Sequence, residues 1–468
     1  MTSEKKSKRN VKTILVLFLL SAFALGLRLT YIKKTYIDKP VRADARSYVI
    51  YGYNLANHGT FSTEFPSEKP TPDSYRSPGY PFVLALVYLL GGEKHFLSWI
   101  IMLQVVLSAL MVSMTFYLAI RYLTFWWSTA AAVLVAISPH LITMTSYFLT
   151  ETLFGFMMLA ALVTFTRAIH EWRIFFFVGA SILFGYAYFT NETTLFVPFL
   201  LVSAVVIIYW KDMWSPERNR MIACLSVFLL LFALFPAAWR IRNAISLPPG
   251  ASTGGGRALQ SLSYGTYPRF IYKSKEYRNY PYKEDPMQPA FSESLHSFAS
   301  IFWSRFKERP LRYIIWYFVE KPYYFWSWNI IQGQGDVYIY PVITSLYQTS
   351  ETAEMSRKLM KAIHPVLLVI LFLSIPLYYL MLRSISRRKS VMKSPVFIFI
   401  TLVYFTFLYS VFTPLPRYSI PFRPEMYVLA LWTLNAGITF SVTRTFFPVS
   451  EVALKSVPDS KKHKKRHK

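Results

Sequence analysis

The side chains able to carry chemistry in this chain are few and far apart. Asp44 stands in RADARSYVIYGYNLANHGTFS, a polar stretch between a first apolar run and a long array of later ones. A carboxylate just outside a membrane can act as general base towards a hydroxyl within hydrogen-bond reach. It can equally cap the helix predicted by the aromatic-apolar run that follows. Arg76 comes next, in RSPGYP, where prolines and a glycine fix the approach to another helix. Its guanidinium fork matches phosphate oxygens, although a lone arginine can also snorkel to headgroups. Glu151, in SYFLTETLFGF, lies at the edge of an apolar run, where an acidic side chain is costly and turns to an interior cavity. Glu192, in FTNETTLFVP, sits in a tight turn between two such runs, either solvated or orienting the neighbours of Asp44. Arg240 and Arg242 close a run in FPAAWRIRNAI, and Arg417 occupies PLPRYSIPFRPE with Arg423 and Glu425 beside it. Each can anchor a helix. Cations from three remote parts of the chain on one membrane face favour an anionic ligand over coincidence.

Other chemistries lack their signatures. There is no Walker A loop, and the glycine-rich STGGGRAL follows no strand pattern, so it is not a dinucleotide site. No His-x-x-x-His or Asp-x-Asp pattern offers a tight metal site, which leaves no cofactor required and room for a loosely bound divalent cation at most. The single cysteine, Cys224, excludes an intramolecular disulfide framework.

The elements that must position these residues are membrane helices. The chain is 54% hydrophobic and only 16% charged, below the roughly 25% charged residues of soluble domains. Apolar runs predict spans at about 12–32, 96–120, 125–144, 147–167, 173–190, 193–210, 220–238, 364–382, 395–412 and 424–445. The start, MTSEKKSKRNVK then TILVLFLLSAFALGL, has the layout of a secretory signal. Apolar character resumes through Leu27–Tyr31, however, so it reads as an uncleaved first helix. Ten crossings put both ends on one side. With the N-terminus inside, Arg121, Arg167, Arg173, Lys211, Arg218, Arg220, Arg383, Arg387, Arg388, Lys389, Lys393 and the tail SKKHKKRHK all fall inside, as the positive-inside bias requires. The run Tyr80–Leu90 is too short to cross, and a crossing there would turn every later basic cluster outward. It is expected to lie along the outer leaflet. The reading is thus one all-α polytopic membrane domain over 1–445, with outer loops at about 33–95 and 240–363, and a basic cytoplasmic tail at 446–468. The net charge of +27 sits at span ends, in the long loop and in the tail, where it suits anionic lipid; with no recognition motif, nucleic acid is excluded as a partner.

The ordered stretches DARSYVIYGYNLANHGTFS, YRSPGYPFVLAL, TETLFGF, AAWRIRNAI with STGGG, and RYSIPFRPEMYVLALW resemble membrane glycosyltransferases of the GT-C type. The nearest likeness is to glycosyltransferase family 39, the protein-mannosyltransferase and aminoarabinose-transferase-like proteins, over nearly the whole chain. The resemblance implies a donor made of a sugar on a polyprenyl phosphate. It also implies a glycan, lipid or protein acceptor in the cell envelope, and transfer on the outer face of a bacterial inner membrane. It makes Asp44 the catalytic residue and Arg76 and Arg242 ligands of the donor phosphate; placement on the same face adds Arg417 to those ligands, and Tyr80, Glu151 and Glu192 stand as candidate sugar or acceptor contacts. Two departures stand out: Ala43 precedes Asp44 where some relatives carry a second acid, and Thr190-Asn191 precede Glu192 where relatives often carry arginine. A transporter or flippase of a lipid-linked sugar is the rival class, but such proteins show matched halves and broken midplane helices. This sequence shows no halves.

Overall fold

A computed structural model describes residues 3–443 apart from 211–215, 274–279, 332, 384–390 and 392. The tail 446–468 lies outside the described residues, as do Lys211, Arg387, Arg388 and Lys389. The first apolar run becomes α1 (Ser3–Lys34), and the polar stretch after it becomes α2 (Ala43–His58). α3 (Gly79–Ala119) is two helices joined at Gly92, whose φ of 63° and ψ of 173° break the helix where only glycine is unstrained. The Tyr80–Leu90 run is therefore a helical segment of its own. It buries Tyr80, Leu84 and Val87 and leaves Leu86, Leu89 and Leu90 exposed.

The next run is also broken, into α4 (Phe125–Ile137) and α5 (Pro139–Thr143), the latter continued by a 3₁₀ turn to Ser146 and bent by 47° from α4. Pro139 has no N–H, so the Val135 carbonyl four residues back loses its helical partner. Arg28, fully buried on α1, replaces it: Nη2 donates to Val135 O at 3.3 Å and Nη1 to Ala136 O at 3.0 Å. Its remaining contacts are Nη1 to Ala24 O and Nε to Ser108 Oγ.

α6 (Glu151–Glu171), α7 (Ile174–Thr190), α8 (Val197–Ile208) and α9 (Arg218–Ser246) continue the bundle. Phe165 is their hub, with ring centroids of Phe177, Phe184, Phe228 and Phe397 within 6.5 Å. The long segment after α9 folds into α10 (Gly254–Tyr264), α11 (Gln288–Phe291), α12 (Leu295–Glu308), α13 (Pro310–Ile315) and α14 (Lys321–Trp326). After α15 (Leu346–Thr349) the chain re-enters the bundle as α16 (Glu351–Arg383), α17 (Val396–Val411) and α18 (Arg423–Thr443). Each apolar run overlaps a helix. By length and composition five helices can each cross a membrane, and the bent α4–α5 pair makes a sixth; α7, α17 and the helix ending α8 are apolar but shorter. Large exposed apolar side chains such as Phe18, Ile207, Leu230 and Phe407 clothe the outside, as on an integral membrane protein.

Among the described residues the only strands are β1 (Tyr36–Ile37) and β2 (Val342–Thr344), an antiparallel pair with Tyr36 opposite Thr344. They tie the segment after α1 to the one before α15, which the apolar pattern does not foretell.

Candidate functional site

Asp44 lies in the first turn of α2, whose N-cap position is held by Arg42 without any side-chain cap bond. The capping role is therefore not the one it fills. Both of its carboxylate oxygens meet arginines instead: Arg76 Nη2 lies 2.6 Å from Oδ1, and Arg417 Nη2 lies 2.9 Å from Oδ2. The backbone beneath is unusual, with Ala43 at φ 46°. Tyr340, from the second outer segment, spans that turn by donating to Arg42 O at 3.0 Å and accepting from Ala45 N at 3.4 Å. Such strained residues persist only where neighbours over-determine them, and they concentrate at working sites.

Arg417 occupies the 3₁₀ turn Pro416–Phe422 between α17 and α18, and its Nε donates to Glu151 Oε1 at 2.5 Å. Glu151 opens α6 and is 5% exposed, and its Oε2 is buried with no hydrogen-bond partner. Arg76 packs its guanidinium over the rings of Tyr48 and Tyr75, at 5.1 and 5.2 Å. The cluster thus balances two carboxylates against two guanidiniums. Burial alone would raise the Asp44 carboxyl, but the charges and hydrogen bonds of Arg417 and Arg76 outweigh it and hold the group well below the usual carboxylate range.

The other expected residues fall around this centre. Tyr80 is buried beneath it, edge-on to Tyr48, and donates to Gln104 Oε1 at 3.1 Å. Gln104 in turn donates to the carbonyls of Thr145 and Tyr147, so this tyrosine braces the broken α5 segment. Glu192, in a 3₁₀ turn after α7, pairs with Arg257 of α10 at 2.5 Å. Gly254, at the start of α10, makes that approach possible: a Cβ there would stand 3.0 Å from Glu192 Oε2. Arg242 makes its contacts with backbone carbonyls. Its Nη1 donates to Asp73 O at 2.8 Å and its Nη2 to Phe61 O at 3.3 Å, with Phe61 and Trp239 stacked on the guanidinium. It supports the loop carrying Tyr75 and Arg76 from behind. Asp73 stiffens the same loop, accepting from the Tyr51 hydroxyl and from the amides of Thr63 and Tyr75.

Sequence reasoning passed over Arg257, Tyr340 and Gln104. Arg257 had a visible signal, an arginine directly behind three glycines. Tyr340 had none, because its partners lie some 295 residues away along the chain. Among the described residues no group of three or more His, Cys, Asp or Glu side chains is placed to hold a metal ion.

An apolar cavity of about 270 Å³ opens between α14, α16 and α17, lined by Phe318, Pro322, Leu371, Phe399, Val403 and Phe407 among others. Its upper wall includes Val411, whose carbonyl, with that of Phe412, accepts from the buried Lys321 ammonium just before the Arg417 turn.

No protein-family model and no curated protein sequence matches this chain. Solved structures do. The archaeal oligosaccharyltransferase AglB from Archaeoglobus fulgidus, in complex with an inhibitory peptide and a dolichol-phosphate, is similar over 93% of this chain with a TM-score of 0.50 at 12% identity. The match covers 51% of AglB, so the chain spans about half of that protein's length. ArnT from Cupriavidus metallidurans, bound to undecaprenyl phosphate, matches over 93% of this chain and 79% of its own, at 12% identity and a TM-score of 0.35. Over that stretch the chain shares its fold with the AglB oligosaccharyltransferase.

Proposed function

We propose that the chain is a glycosyltransferase that moves a sugar from a polyprenyl-phosphate donor to a hydroxyl of a cell-envelope glycan, lipid or protein. The observation that carries this is the Asp44 carboxylate held between two arginines brought from residues 76 and 417. The GT-C fold supports it, and AglB holds a dolichol-phosphate on that fold. In this reading ten helices cross the membrane, both termini are cytoplasmic and the site faces outward. The apolar cavity by α14, α16 and α17 suits the donor's lipid chain.

The chemistry follows from the charges. A sugar–phosphate–lipid donor carries one negative charge on its phosphodiester, and the lipid phosphate that leaves carries two. Arg76 and Arg417, fixed by aromatic stacking and by Glu151, stabilise the charge as it grows. The acceptor oxygen attacks the anomeric carbon in line with the departing phosphate oxygen, and Asp44 takes the hydroxyl proton. The anomeric configuration inverts. Both Asp44 oxygens accept from arginines before donor arrives, and those cations hold down their basicity. An incoming phosphate competes for Arg76, and transfer of that guanidinium from Asp44 to the donor frees Oδ1 as the base. Donor binding and base activation are one exchange.

The test is Asp44→Asn, assayed with a polyprenyl-phosphate sugar and an envelope acceptor extract by the lipid phosphate released. Loss of a general base is worth about 10²- to 10⁴-fold, with folding and donor binding retained. Transfer at the wild-type rate would remove Asp44 from the mechanism. Wild-type protein that carries the lipid-linked sugar across vesicles without releasing phosphate would replace the enzyme reading with that of a flippase.

A further inference from the structure

The first outer loop and the glycine-rich entry to α10 lie side by side: Ser74 N donates to Ser252 O at 3.0 Å, and Ser74 bridges to Thr253. This brings Arg257, in the first turns of α10, to the tyrosine that carries Arg76. The guanidinium carbon of Arg76 is 5.2 Å from the Tyr75 ring centre and that of Arg257 is 5.9 Å. Two cations therefore share one ring and repel each other. Each has one carboxylate partner, reached through Nη2: Asp44 for Arg76 and Glu192 for Arg257. A guanidinium offers five N–H donors, so each keeps donors that no described side chain or carbonyl accepts. Arg76 Nε is buried and has no partner at all. Glu192 and Arg257 are 39% and 25% exposed, so an outer-face ligand can reach them. Two guanidinium forks with unused donors at one aromatic ring are built for a tetrahedral anion.

We propose that Arg257 is a further donor-binding residue, which with Arg76 holds the phosphate of the lipid-linked donor beside Tyr75, the phosphate displacing Glu192, its partner before donor arrives. This rests on the donor reading above. It also gives Arg257 the ligand role that Arg242, engaged with two backbone carbonyls, does not fill. Arg76 then contributes to two steps: it releases Asp44 and grips the phosphate jointly with Arg257.

The experiment measures binding alone, with farnesyl phosphate as a sugar-free probe titrated into the full-length protein in mild detergent. Arg257→Gln binds the probe roughly 10- to 100-fold more weakly, as loss of a charge-assisted hydrogen-bonding pair predicts. Glu192→Gln, which loosens Arg257 without removing it, binds at least as tightly as wild type. Wild-type affinity in Arg257→Gln overturns the assignment. So does an equal loss in Glu192→Gln, which would make Arg257 a strut for the loop rather than a ligand. If Arg257→Gln does not fold, Arg257→Lys decides: it keeps the charge but not the fork, so several-fold weaker binding supports the assignment and unchanged binding sinks it. Wild-type protein that binds no farnesyl phosphate fails the donor reading itself, and the inference with it. Normal wild-type affinity with an indifferent Arg257 fails the inference alone.

Discussion

Arg28 and Arg417 are both buried arginines in a membrane protein, and they solve the problem in opposite ways. Arg28 has only neutral partners, the carbonyls of Ala24, Val135 and Ala136 and the hydroxyl of Ser108. Those partners use Nε and both terminal nitrogens, and the arginine in effect completes the helix interrupted at Pro139. Arg417 instead joins two carboxylates, Asp44 and Glu151, drawn from separate helices. Charges in such an arrangement can be exchanged for those of a ligand, whereas backbone carbonyls cannot leave. On the proposed function, Arg28 is a structural part and Arg417 a working one. Arg423 shares the neutral partners, donating to His364 and to the carbonyls of Trp326 and Ser327, but not the saturation, since its Nε is buried without a partner among the described residues. Arg242 also has neutral partners, two backbone carbonyls.

The largest expected effect tests that division directly. Arg417→Gln should lower kcat by roughly 10²- to 10³-fold, the usual loss for one donor to a developing oxyanion. Arg28→Met should leave the donor KM and kcat near wild type and lower stability in detergent by about 1–3 kcal/mol, because the Val135 and Ala136 carbonyls lose their donor. Rates with a polyprenyl-phosphate donor and chemical unfolding curves check both. An Arg28→Met protein as stable as wild type but catalytically dead would erase the distinction.

How much of this was legible beforehand follows the same division. The apolar runs were legible as helices, because hydrophobic length is a local property, and five or six of those helices are long and apolar enough to cross a membrane. Asp44, Arg76, Glu151 and Arg417 were readable as charges at span ends, and their convergence followed from placing those ends on one face. What side chains do once there was not readable. The sequences around Arg76 and Arg242 look equally cationic, yet one packs against Tyr48 and Asp44 and the other against two carbonyls. The β1–β2 pairing and the Tyr340 clamp join residues about 300 positions apart, and nothing local to either partner encodes them. Arg28 read as part of a continuous apolar run, and only the break at Pro139 gives it a purpose.

A middle-sized effect concerns pH. With both arginines present Asp44 stays ionised far below its ordinary range, so wild-type kcat/KM should show no acid limb from this group above about pH 4, near the ordinary aspartate value. Arg76→Gln removes one of the two cations that outweigh burial, and the carboxyl moves up. Activity needs the ionised base, so the variant loses kcat/KM as pH falls through the raised value. The stability that the depressed carboxyl gives above its unfolded value is reduced as well. A pH–rate profile for the two proteins, compared with Arg242→Gln, separates exchangeable from saturated arginines. An acid limb equally raised in Arg242→Gln would contradict the placement of Arg242 behind the loop.

The smallest effect probes the support under Asp44. Tyr340→Phe keeps the ring against Tyr147 and removes only the hydroxyl that links Arg42 O and Ala45 N across the strained Ala43. One neutral hydrogen bond is worth about 0.5–1.5 kcal/mol, which corresponds to roughly 2- to 12-fold in rate if the whole of it aims the carboxylate. The loss should appear in kcat with donor affinity unchanged, since Arg76 and Arg417 keep their places. It should be accompanied by faster amide exchange at Ala45. A variant with slower transfer but an unchanged Ala45 amide would mean that the hydroxyl acts on the substrate and not on the turn. Tyr340 would then move from the supporting residues to the reacting ones.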